Sequence, residues 1–434
     1  MKRRLLEKIN NRTATVAVIG QGYVGLPLAL EFAKAGFHTI GIDIDATKVK
    51  RILAGDSYIV DIPSLELKRV VDSGKLTATT EFSAIREVDC ISICVPTPLR
   101  KSKDPDISFI CASVDEIKKF LRKGSLVVLE STTYPGTTDE LIREPLEKMG
   151  FKTGTDLFLC FSPERVDPGN KQYNTKNTPK VIGGATPACT ELGNALYCTC
   201  IDTVHPVNGT AEAEMVKLLE NTFRAVNIAL VNELLMMCER MGIDIWNVIR
   251  AAATKPFGFM PFYPGPGIGG HCIPLDPMYL SWKAKTYDFF NRFIELATDI
   301  NGNMPYYVIQ RVARVLNRHR KAVNGSKILI VGMAYKPNID DLRESPGLEI
   351  YRLLQREGAE VIFNDPHAQS FRDSEGTTIQ SMELTPTMLQ KQDLAVIATN
   401  HRSYDYGLIV KHTPLILDTR NALLDFQSEN IEKL

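Results

Sequence analysis

Short apolar runs alternate with amphipathic stretches along the first part of the chain. The pattern covers residues 15–19, 26–35, 39–42, 90–95, 126–129 and 157–161. Strands that alternate with helices favour a parallel sheet with helices packed on its faces. We therefore predict a doubly wound α/β domain at the start of the chain.

A different pattern fills the middle of the chain. Residues 210–241 contain neither proline nor glycine and carry apolar side chains at helical spacing. An uninterrupted helix of this length is either the spine of a domain or a subunit contact. A stretch rich in proline and glycine follows at residues 256–277, and helical patterning then continues to residue 320.

Strand-like runs return towards the C-terminus and predict a second α/β domain. They lie at residues 327–331, 360–363, 394–398 and 415–417. The changes of pattern divide the chain into a first α/β domain, a central helical domain and a second α/β domain. We expect these domains at residues 1–205, 206–320 and 321–434.

Composition narrows the classes of partner. The 434 residues include 51 basic and 51 acidic side chains, so the formal net charge is zero. A nucleic-acid-binding surface needs clustered Lys and Arg, so we expect no nucleic-acid partner. No window approaches the roughly 18 apolar residues of a membrane span, and the apolar run after the N-terminus is too brief for an export signal. We expect a cytoplasmic protein without membrane contact.

Cysteine usage agrees with a reducing compartment. The nine cysteines are an odd number, and most lie in apolar periodic segments. This usage is typical of reduced thiols rather than of a disulfide framework. Cys198 and Cys200 are neighbours but lack a second Cys or His pair at zinc-site spacing, so we expect no metal site.

A glycine-rich loop joins the first predicted strand to the first predicted helix. Its sequence is Gly20-Gln21-Gly22-Tyr23-Val24-Gly25. In a dinucleotide-binding loop the first glycine permits the tight turn, the second permits close approach of a pyrophosphate, and the third permits helix-on-strand packing. Asp43 ends the next strand, where a carboxylate can accept hydrogen bonds from ribose hydroxyls. We predict NAD rather than NADP, although the neighbouring Lys48 weakens that preference.

Cys272 lies in an unusual setting. Residues 264–276 are so rich in glycine and proline that we predict a loop with available backbone amides. Cys272 is the one cysteine outside an apolar periodic segment, and Asp276 follows four residues later. A cysteine is more often a buried residue with a packing role than a nucleophile, but its position in this loop favours the role of nucleophile.

Polar side chains form a stripe on the long helix. Glu214, Lys217, Asn221 and Arg224 are spaced by three and four residues and therefore share one face. Such a stripe is either solvated or buried against a site. The apolar character of the other faces favours the buried alternative.

Polar residues also follow several predicted strands. Three such segments each begin at the end of a predicted strand, namely residues 95–98, 131–138 and 161–166. This is the carboxyl edge, where open α/β sheets bind ligands. For Thr137 and Thr138, hydroxyls that cap the next helix explain the pattern equally well. Glu164 and Arg165 bring both charges to that edge.

Taken together, these motifs resemble the nucleotide-sugar 6-dehydrogenases, a family that includes UDP-glucose, GDP-mannose and UDP-N-acetylhexosamine enzymes. The resemblance covers essentially the whole chain and rests on GQGYVGLP, STTYPGTT, SPERV, EMVKLLEN, GIGGHCIPLDP and VGMAYKPNIDDLRESP. It implies an α/β fold of two Rossmann-like domains with parallel sheets, joined by a long helix and a central helical dimerisation domain. It also implies a homodimer or higher homo-oligomer, with NAD on the first domain and the UDP-sugar between the two.

The same resemblance assigns chemical roles. Cys272 would be the nucleophile, with Lys217 and Asn221 as ligands of the oxyanion and the sugar. Asp276 would be a partner of the reacting oxygen or of water. Thr132 and Glu164 would lie beside the nicotinamide and the hydrolytic water.

Further contacts are implied around this centre. Tyr335 and Lys336 would reach the substrate from the last domain, and Arg343 would contact cofactor phosphates of the same or a neighbouring subunit. The remaining expected cofactor contacts are Tyr23, Val24, Lys48 and Thr97. The remaining expected substrate contacts are Arg165, Val166, Arg224, Tyr263, Gly269 and Arg420.

The resemblance implies a four-electron oxidation of a sugar C6 hydroxyl to a uronic acid, for a surface polysaccharide precursor. Leu275 stands where UDP-glucose and GDP-mannose members usually have Lys, which favours a UDP-N-acetylhexosamine. The segment before the glycine-rich loop has only Lys255 as a basic residue, which favours UDP-N-acetylglucosamine over UDP-N-acetylmannosamine. The alternatives are UDP-N-acetylmannosamine or UDP-glucose as substrate, a two-electron hydroxyacid dehydrogenase, and a catalytically silent nucleotide-sugar-binding protein.

Overall fold

The computed structural model describes residues 1–59, 61–98, 100, 104–167, 170, 172–270, 272–373 and 375–434. The chain divides into two compact units. The first unit comprises Met1–Glu220 and Met278–Phe289, and the second comprises Asn221–Pro277 and Phe290–Leu434. The predicted division into three domains stays a prediction.

The first unit is built on one large sheet. Its strands are β1 (Thr15–Ile19), β2 (His38–Ile42), β3 (Leu76–Thr79), β4 (Cys90–Ile93), β5 (Ser125–Leu129), β6 (Leu157–Phe161), β7 (Lys180–Gly184) and β8 (Val204–Val207). Their order in the sheet is β3-β2-β1-β4-β5-β6-β7-β8. Neighbouring strands are parallel except β6 and β7. The described residues between those two include no helix, and a parallel pair would need such a crossover.

Helices cover both faces of this sheet. They are α1 (Lys2–Asn10), α2 (Gly25–Lys34), α3 (Ala46–Leu53), α4 (Ser64–Asp72), α5 (Ser108–Phe120), α6 (Glu144–Lys148) and α7 (Pro187–Tyr197), with a 3-10 helix at Phe82–Glu87 and a π-helix at Thr138–Arg143. Successive strand residues face opposite sides. Val16 and Val18 therefore belong to one apolar cluster, whereas Ala17 and Ile19 belong to the other.

Four helices occupy the middle of the chain. They are α8 (Thr210–Met241), α9 (Ile245–Ala252), α10 (Cys272–Lys285) and α11 (Arg292–Arg318). The bounds of α8 agree with the predicted long helix. The predicted loop at 264–276 is wrong at its end, because α10 begins at Cys272. Pro274 is tolerated there, since the first turn of a helix does not use its backbone N–H groups for internal hydrogen bonds.

The second unit contains a smaller parallel sheet. The strands of this unit are β9 (Lys327–Val331), β10 (Glu360–Asn364), β11 (Ser370–Arg372), β12 (Thr378–Gln380), β13 (Leu394–Ile397), β14 (Ile416–Asp418) and β15 (Ile431–Lys433). The sheet order is β10-β9-β13-β14-β15, and β11 pairs with β12 as a separate antiparallel hairpin. Its remaining helices are α12 (Pro346–Arg356), α13 (Pro386–Gln390) and α14 (Tyr406–His412). The predicted α/β class and both sheets are confirmed. Within the described ranges, no helix has the length and apolar character needed to cross a bilayer.

Candidate active site

The glycine loop between β1 and α2 has one glycine that protein packing does not explain. Gly20 has a φ of +87°, and a Cβ there would lie 2.6 Å from the carbonyl oxygen of Cys94. A Cβ on Gly25 would collide with the carbonyl oxygen of Gly20, so this glycine permits close packing of α2. A Cβ on Gly22 would meet nothing within 4 Å. Gly22 therefore leaves open space beside the loop, which fits the close approach of a dinucleotide.

Asp43 lies at the carboxyl end of β2 and is hydrogen-bonded to the glycine loop. Its Oδ2 accepts a hydrogen bond of 2.7 Å from the amide of Gln21, and its Oδ1 accepts one of 2.9 Å from Asp45. Lys48 Nζ lies 3.2 Å from Oδ2. A carboxylate offers about four lone-pair positions, so these three donors leave capacity for a further hydrogen bond. The geometry fits a ribose contact, and it also gives Asp43 a structural role that the pattern did not reveal.

The other expected cofactor contacts also lie in the first unit. Tyr23 is exposed in the glycine loop, and Val24 immediately precedes α2. Thr97 follows β4 and is buried, and its carbonyl oxygen accepts a hydrogen bond of 2.7 Å from the Tyr279 hydroxyl. Thr132 follows β5, and its Oγ1 lies 2.5 Å from Lys217 Nζ on α8.

Glu214 shows how α8 is attached to the strand end. Its carboxylate accepts hydrogen bonds from the amides of Gly136 and Thr138, at 2.6 and 2.8 Å, and from the Thr138 hydroxyl at 2.7 Å. Burial raises the pKa of Glu214 to about 7, against the opposing effect of these hydrogen bonds. The capping explanation for Thr137 is wrong, because its hydroxyl donates to the Tyr134 carbonyl instead.

The polar stripe is therefore buried along most of its length. Asn221 is buried, and its Nδ2 donates a hydrogen bond of 2.5 Å to Asp276 Oδ2. Lys217 is half-buried and Arg224 is exposed. The solvated alternative thus holds only for the last of the four residues.

Glu164 and its neighbours lie in the loop after β6. Glu164 Oε1 accepts hydrogen bonds from the amides of Arg165 and Val166, at 2.8 and 2.7 Å. Its Oε2 lies 3.7 Å from Lys180 Nζ. The Arg165 guanidinium donates to Glu220 and to the Pro179 carbonyl, both at 2.6 Å. Arg165 is thus already held by protein groups.

A buried charge cluster beneath this loop was missed from the sequence. Lys180 Nζ lies 2.7 Å from Glu130 Oε2, and both side chains are almost fully buried. The Tyr197 hydroxyl donates to Glu130, and Ser92 Oγ lies 3.2 Å from that hydroxyl. Burial lowers the pKa of Lys180, but the carboxylates of Glu130 and Glu164 outweigh this and raise it. The available signal was a charged residue at one end of each of two apolar strands, because Glu130 follows β5 and Lys180 begins β7.

Cys272 is the first residue of α10 and is exposed. In the described residues all nine cysteines are thiols, and only Cys198 shares this exposure. Asp276, one turn further along α10, is buried against Asn221. The N-terminal end of a helix favours a thiolate over a thiol. Cys272 is therefore accessible and lies at the end of α10 where a thiolate is favoured.

The glycine-rich loop before Cys272 packs on a segment after β9. The amide of Gly270 donates a hydrogen bond of 3.0 Å to the Arg343 carbonyl. A Cβ on Gly270 would lie 2.6 Å from the Tyr335 ring, and one on Gly269 would lie 2.7 Å from the Glu344 carbonyl oxygen. These glycines thus allow Tyr335 to approach the loop backbone.

The remaining site residues expected in the second unit differ in burial and in their hydrogen-bond partners. Lys336 is half-buried beside Tyr335. The Arg343 guanidinium is exposed and makes a bidentate contact with Asp341 at 3.0 and 2.6 Å. Arg420 Nε donates to the Ala398 carbonyl at 2.9 Å, and burial lowers its pKa to about 10. Tyr263 is exposed and stacks on Trp246. No cluster of metal-ligating side chains occurs among the residues described.

Models of one protein family match most of the chain. Residues 14–201 match the NAD binding domain of the UDP-glucose/GDP-mannose dehydrogenase family, 211–303 its central domain and 329–425 its UDP binding domain. The chain belongs to this family. It is therefore an NAD-dependent oxidoreductase, and the expected cofactor and enzyme class are confirmed.

Individual members of the UDP-glucose/GDP-mannose dehydrogenase family differ in the sugar that their names carry. The chain is 37% identical over 353 residues to a UDP-N-acetyl-D-glucosamine 6-dehydrogenase of Pseudomonas aeruginosa, covering 81% of this chain and 82% of that protein. It is 36% identical over 402 residues to an NDP-N-acetyl-D-galactosaminuronic acid dehydrogenase of Ralstonia nicotianae, covering 90% and 91%. A solved structure of UDP-D-ManNAc dehydrogenase from Pyrococcus horikoshii has a TM-score of 0.88 at 31% identity, covering 96% and 98%.

Proposed function

We propose that the chain oxidises the C6 hydroxyl of a UDP-N-acetylhexosamine to the uronic acid, and that UDP-N-acetylglucosamine is its substrate. The observation that carries the proposal is the exposed Cys272 at the start of α10, with Asp276 one turn further along that helix and hydrogen-bonded to Asn221 of α8. A thiol in this position gives the enzyme a way to hold an aldehyde that a simple alcohol dehydrogenase would release.

The cofactor would bind at the glycine loop of the first unit. Gly22 leaves room for the pyrophosphate, and Asp43 offers its remaining capacity to a ribose. Thr97 and Thr132 follow the neighbouring strands, at the edge where such sheets bind nucleotides. When bound, NAD accepts a hydride at each of the two oxidations.

The thiol of Cys272 would act between the two oxidations. Its thiolate adds to the C6 aldehyde carbon and forms a C–S bond, which gives a thiohemiacetal. Oxidation of this adduct gives a thioester. Water then attacks the thioester carbonyl, the C–S bond breaks, and the thiolate leaves as the carboxylate forms.

Residues of α8 and the strand ends would support these steps. Lys217 would stabilise the oxyanion of each tetrahedral stage, an effect of several kcal/mol in comparable sites. Asn221 and Asp276 would orient the sugar or the reacting oxygen. Glu164, whose Oε1 is fixed by two amides, would hold the hydrolytic water.

The uridine nucleotide would be recognised from the second unit. Tyr335 packs on the glycine-rich loop at Gly270, and Lys336 and Arg420 supply positive charge for the phosphates. Gly269, Tyr263, Arg165, Val166 and Arg224 are further proposed contacts, and Arg343 would reach cofactor phosphates. The family model for this part of the chain, a UDP binding domain, supports the assignment.

The choice of sugar rests on Leu275 and Lys255 together with the relatives. These relatives are named for N-acetylglucosamine, N-acetylgalactosaminuronic acid and N-acetylmannosamine, which supports an N-acetylhexosamine over glucose. UDP-N-acetylmannosamine is the second candidate because the structure with a TM-score of 0.88 is that of a UDP-D-ManNAc dehydrogenase. The enzyme would act in the cytoplasm, and the uronic acid would be a precursor of a surface polysaccharide.

We also propose a homodimer formed through α8. This helix exposes several large apolar side chains that its own chain does not cover. They are Leu219, Phe223, Leu230, Met237 and Met241. Exposed apolar surface of this extent is typical of a subunit interface.

A turnover assay with a panel of UDP-sugars tests the proposal. We expect two NADH per uronic acid with UDP-N-acetylglucosamine and slower turnover with its mannosamine, galactosamine and glucose counterparts. One NADH per product would indicate a two-electron dehydrogenase. Binding without turnover of any sugar would indicate a silent nucleotide-sugar-binding protein.

A further inference from the structure

A fully buried carboxylate lies at the carboxyl end of β10 in the second unit. Asp365 Oδ2 accepts hydrogen bonds from the amides of Met333 and Ala334, at 2.7 and 2.9 Å. Its Oδ1 accepts from the amides of His367 and Ala368, at 2.8 and 2.9 Å. Burial alone would raise the pKa of Asp365, but its hydrogen bonds outweigh burial and lower it to about 2. Asp365 is therefore an anion at neutral pH.

His401 links this carboxylate to a second point on the chain. Its Nε2 lies 3.0 Å from Asp365 Oδ2, and its Nδ1 lies 2.9 Å from the amide nitrogen of Asn338. An amide can only donate, so Nδ1 is the acceptor and carries no proton. The ring proton is thus on Nε2, where it is donated to Asp365. The imidazole has no exposed surface, and both of its nitrogens are engaged in hydrogen bonds.

Together, Asp365 and His401 hold both ends of the short segment after β9. Asp365 binds the amides of residues 333 and 334, and His401 binds the amide of residue 338. Tyr335 and Lys336 lie between these two attachments. Asn338 has a φ of +64°, a left-handed conformation that asparagine adopts more readily than most non-glycine residues. His401 and the Arg402 amide hold it in place, and the Arg402 amide donates to Asn338 Oδ1 at 2.9 Å.

The first unit uses its corresponding carboxylate differently. Each of these carboxylates follows the second strand of its α/β unit and accepts a hydrogen bond from an amide that follows a glycine. For Asp43 this amide is that of Gln21, and for Asp365 it is that of Met333. Asp43, however, keeps some exposure and capacity for a ligand. Asp365 has no exposed surface and is surrounded by five donors. The carboxylate of the second unit therefore serves to hold the loop and not to bind a ribose.

We propose that His401 is a positioning residue for the nucleotide sugar. Through the Asn338 amide it fixes the backbone that presents Tyr335 and Lys336. The inference rests on the proposed function in one respect, namely that these two residues contact the substrate. It follows that loss of the Nδ1 acceptor should weaken binding of the UDP-sugar and leave NAD binding unchanged.

Two substitutions at His401 separate its two hydrogen bonds. In His401→Asn, Oδ1 stands at the same bonded distance from Cβ as Nδ1 and can accept from Asn338, but the bond to Asp365 is lost. In His401→Gln, Nε2 stands where the histidine Nε2 stood and can donate to Asp365, but the acceptor for Asn338 is lost. Each variant therefore loses one of the two hydrogen bonds, and the shorter Asn side chain leaves the larger cavity.

The variants are compared in the full-length enzyme with UDP-N-acetylglucosamine and NAD. His401→Gln should raise KM for the UDP-sugar about tenfold, the scale of one unsatisfied buried donor. His401→Asn should stay within about threefold of wild type, because that donor keeps its acceptor. KM for NAD and kcat should be unaffected in both variants. Deuterium exchange of the peptide that covers residues 333–338 should be faster in the Gln variant alone.

Equal KM and equal exchange in the two variants, or larger effects in His401→Asn, would overturn the inference, since loss of a merely structural histidine should be at least as damaging in the shorter Asn variant. A matching rise in KM for NAD would also overturn it. Lys336→Ala provides the control for the proposed function. If Lys336→Ala leaves KM for the UDP-sugar unchanged, the substrate assignment of this segment fails and the inference fails with it. If Lys336→Ala raises KM while His401→Gln does not, only the inference fails.

Discussion

Breaking the buried ion pair in the first unit should be costly. Lys180 and Glu130 are 6% and 0% exposed, and their charged atoms are 2.7 Å apart. Lys180→Met removes the charge and keeps most of the side-chain length, so Glu130 is left buried without its cation. Removing one partner of such a pair costs about 3–5 kcal/mol. For a unit of this size the midpoint of thermal unfolding should fall by roughly 10 °C.

The cost should depend on pH. Burial raises the pKa of Glu130, and the Lys180 cation opposes that rise. Without the cation the pKa rises further, so folded Glu130 holds a proton that the unfolded chain releases. A carboxyl group with a higher pKa in the folded state contributes stability at low pH that is lost as pH rises through that pKa. Lys180→Met should therefore be less destabilised at about pH 5 than at about pH 8.

Calorimetry of three variants tests this reasoning. Lys180→Met/Glu130→Gln should recover most of the lost stability, because a neutral amide replaces the unpaired carboxylate and keeps a partner in Tyr197. Lys119→Met is the matched control, since the pair of Lys119 with Glu116 is largely exposed and worth about 1 kcal/mol or less. The reasoning is refuted if Lys180→Met unfolds like Lys119→Met, or if its loss of stability is the same at both pH values.

Three further perturbations follow from the described contacts. Gly22→Ala should weaken NAD binding and leave the midpoint of thermal unfolding unchanged, whereas Gly25→Ala should lower that midpoint. Similar unfolding midpoints of the two variants in calorimetry would contradict this contrast. Asp43→Asn should weaken NAD binding and improve the relative binding of NADP, because a negative charge near the 2′ position is removed; an unchanged NAD/NADP affinity ratio in titration calorimetry would count against it. Glu214→Gln should flatten the dependence of unfolding free energy on pH between about 5 and 7, since the raised pKa of folded Glu214 gives stability that is lost as pH rises. An unchanged slope would contradict the raised pKa of Glu214.

Patterns that depend on neighbouring residues were predictable from the sequence. The alternation of strands and helices, the bounds of α8 and the reasons for Gly20 and Gly25 follow from local periodicity and backbone geometry. The helical start at Cys272 was not predicted, because glycine and proline content suggested a loop and the first turn of a helix tolerates proline. The antiparallel β7 was also missed, since its direction depends on the path of the preceding loop.

Contacts between residues far apart in sequence could not be predicted from such local patterns. Glu130 and Lys180 are separated by 50 positions, and His401 and Asp365 by 36. Nothing in the local spacing of these residues pairs them, because sheet order and strand direction bring these positions together. The same holds for Glu214, whose role at Gly136 and Thr138 was not visible from its place in the helical stripe.

The covalent role of Cys272 is the central claim, and intact-mass measurement during turnover tests it most directly. Wild type, Cys272→Ala and Cys272→Ser are each mixed with UDP-N-acetylglucosamine and NAD, and NADH is counted per uronic acid. We expect two NADH per product from wild type, no sustained turnover from the Ala variant, and a trapped ester adduct or very slow turnover from the Ser variant, because an alkoxide leaves less readily than a thiolate. Full turnover with two NADH per product by Cys272→Ala would show that the thiol is structural and that the proposed mechanism is wrong.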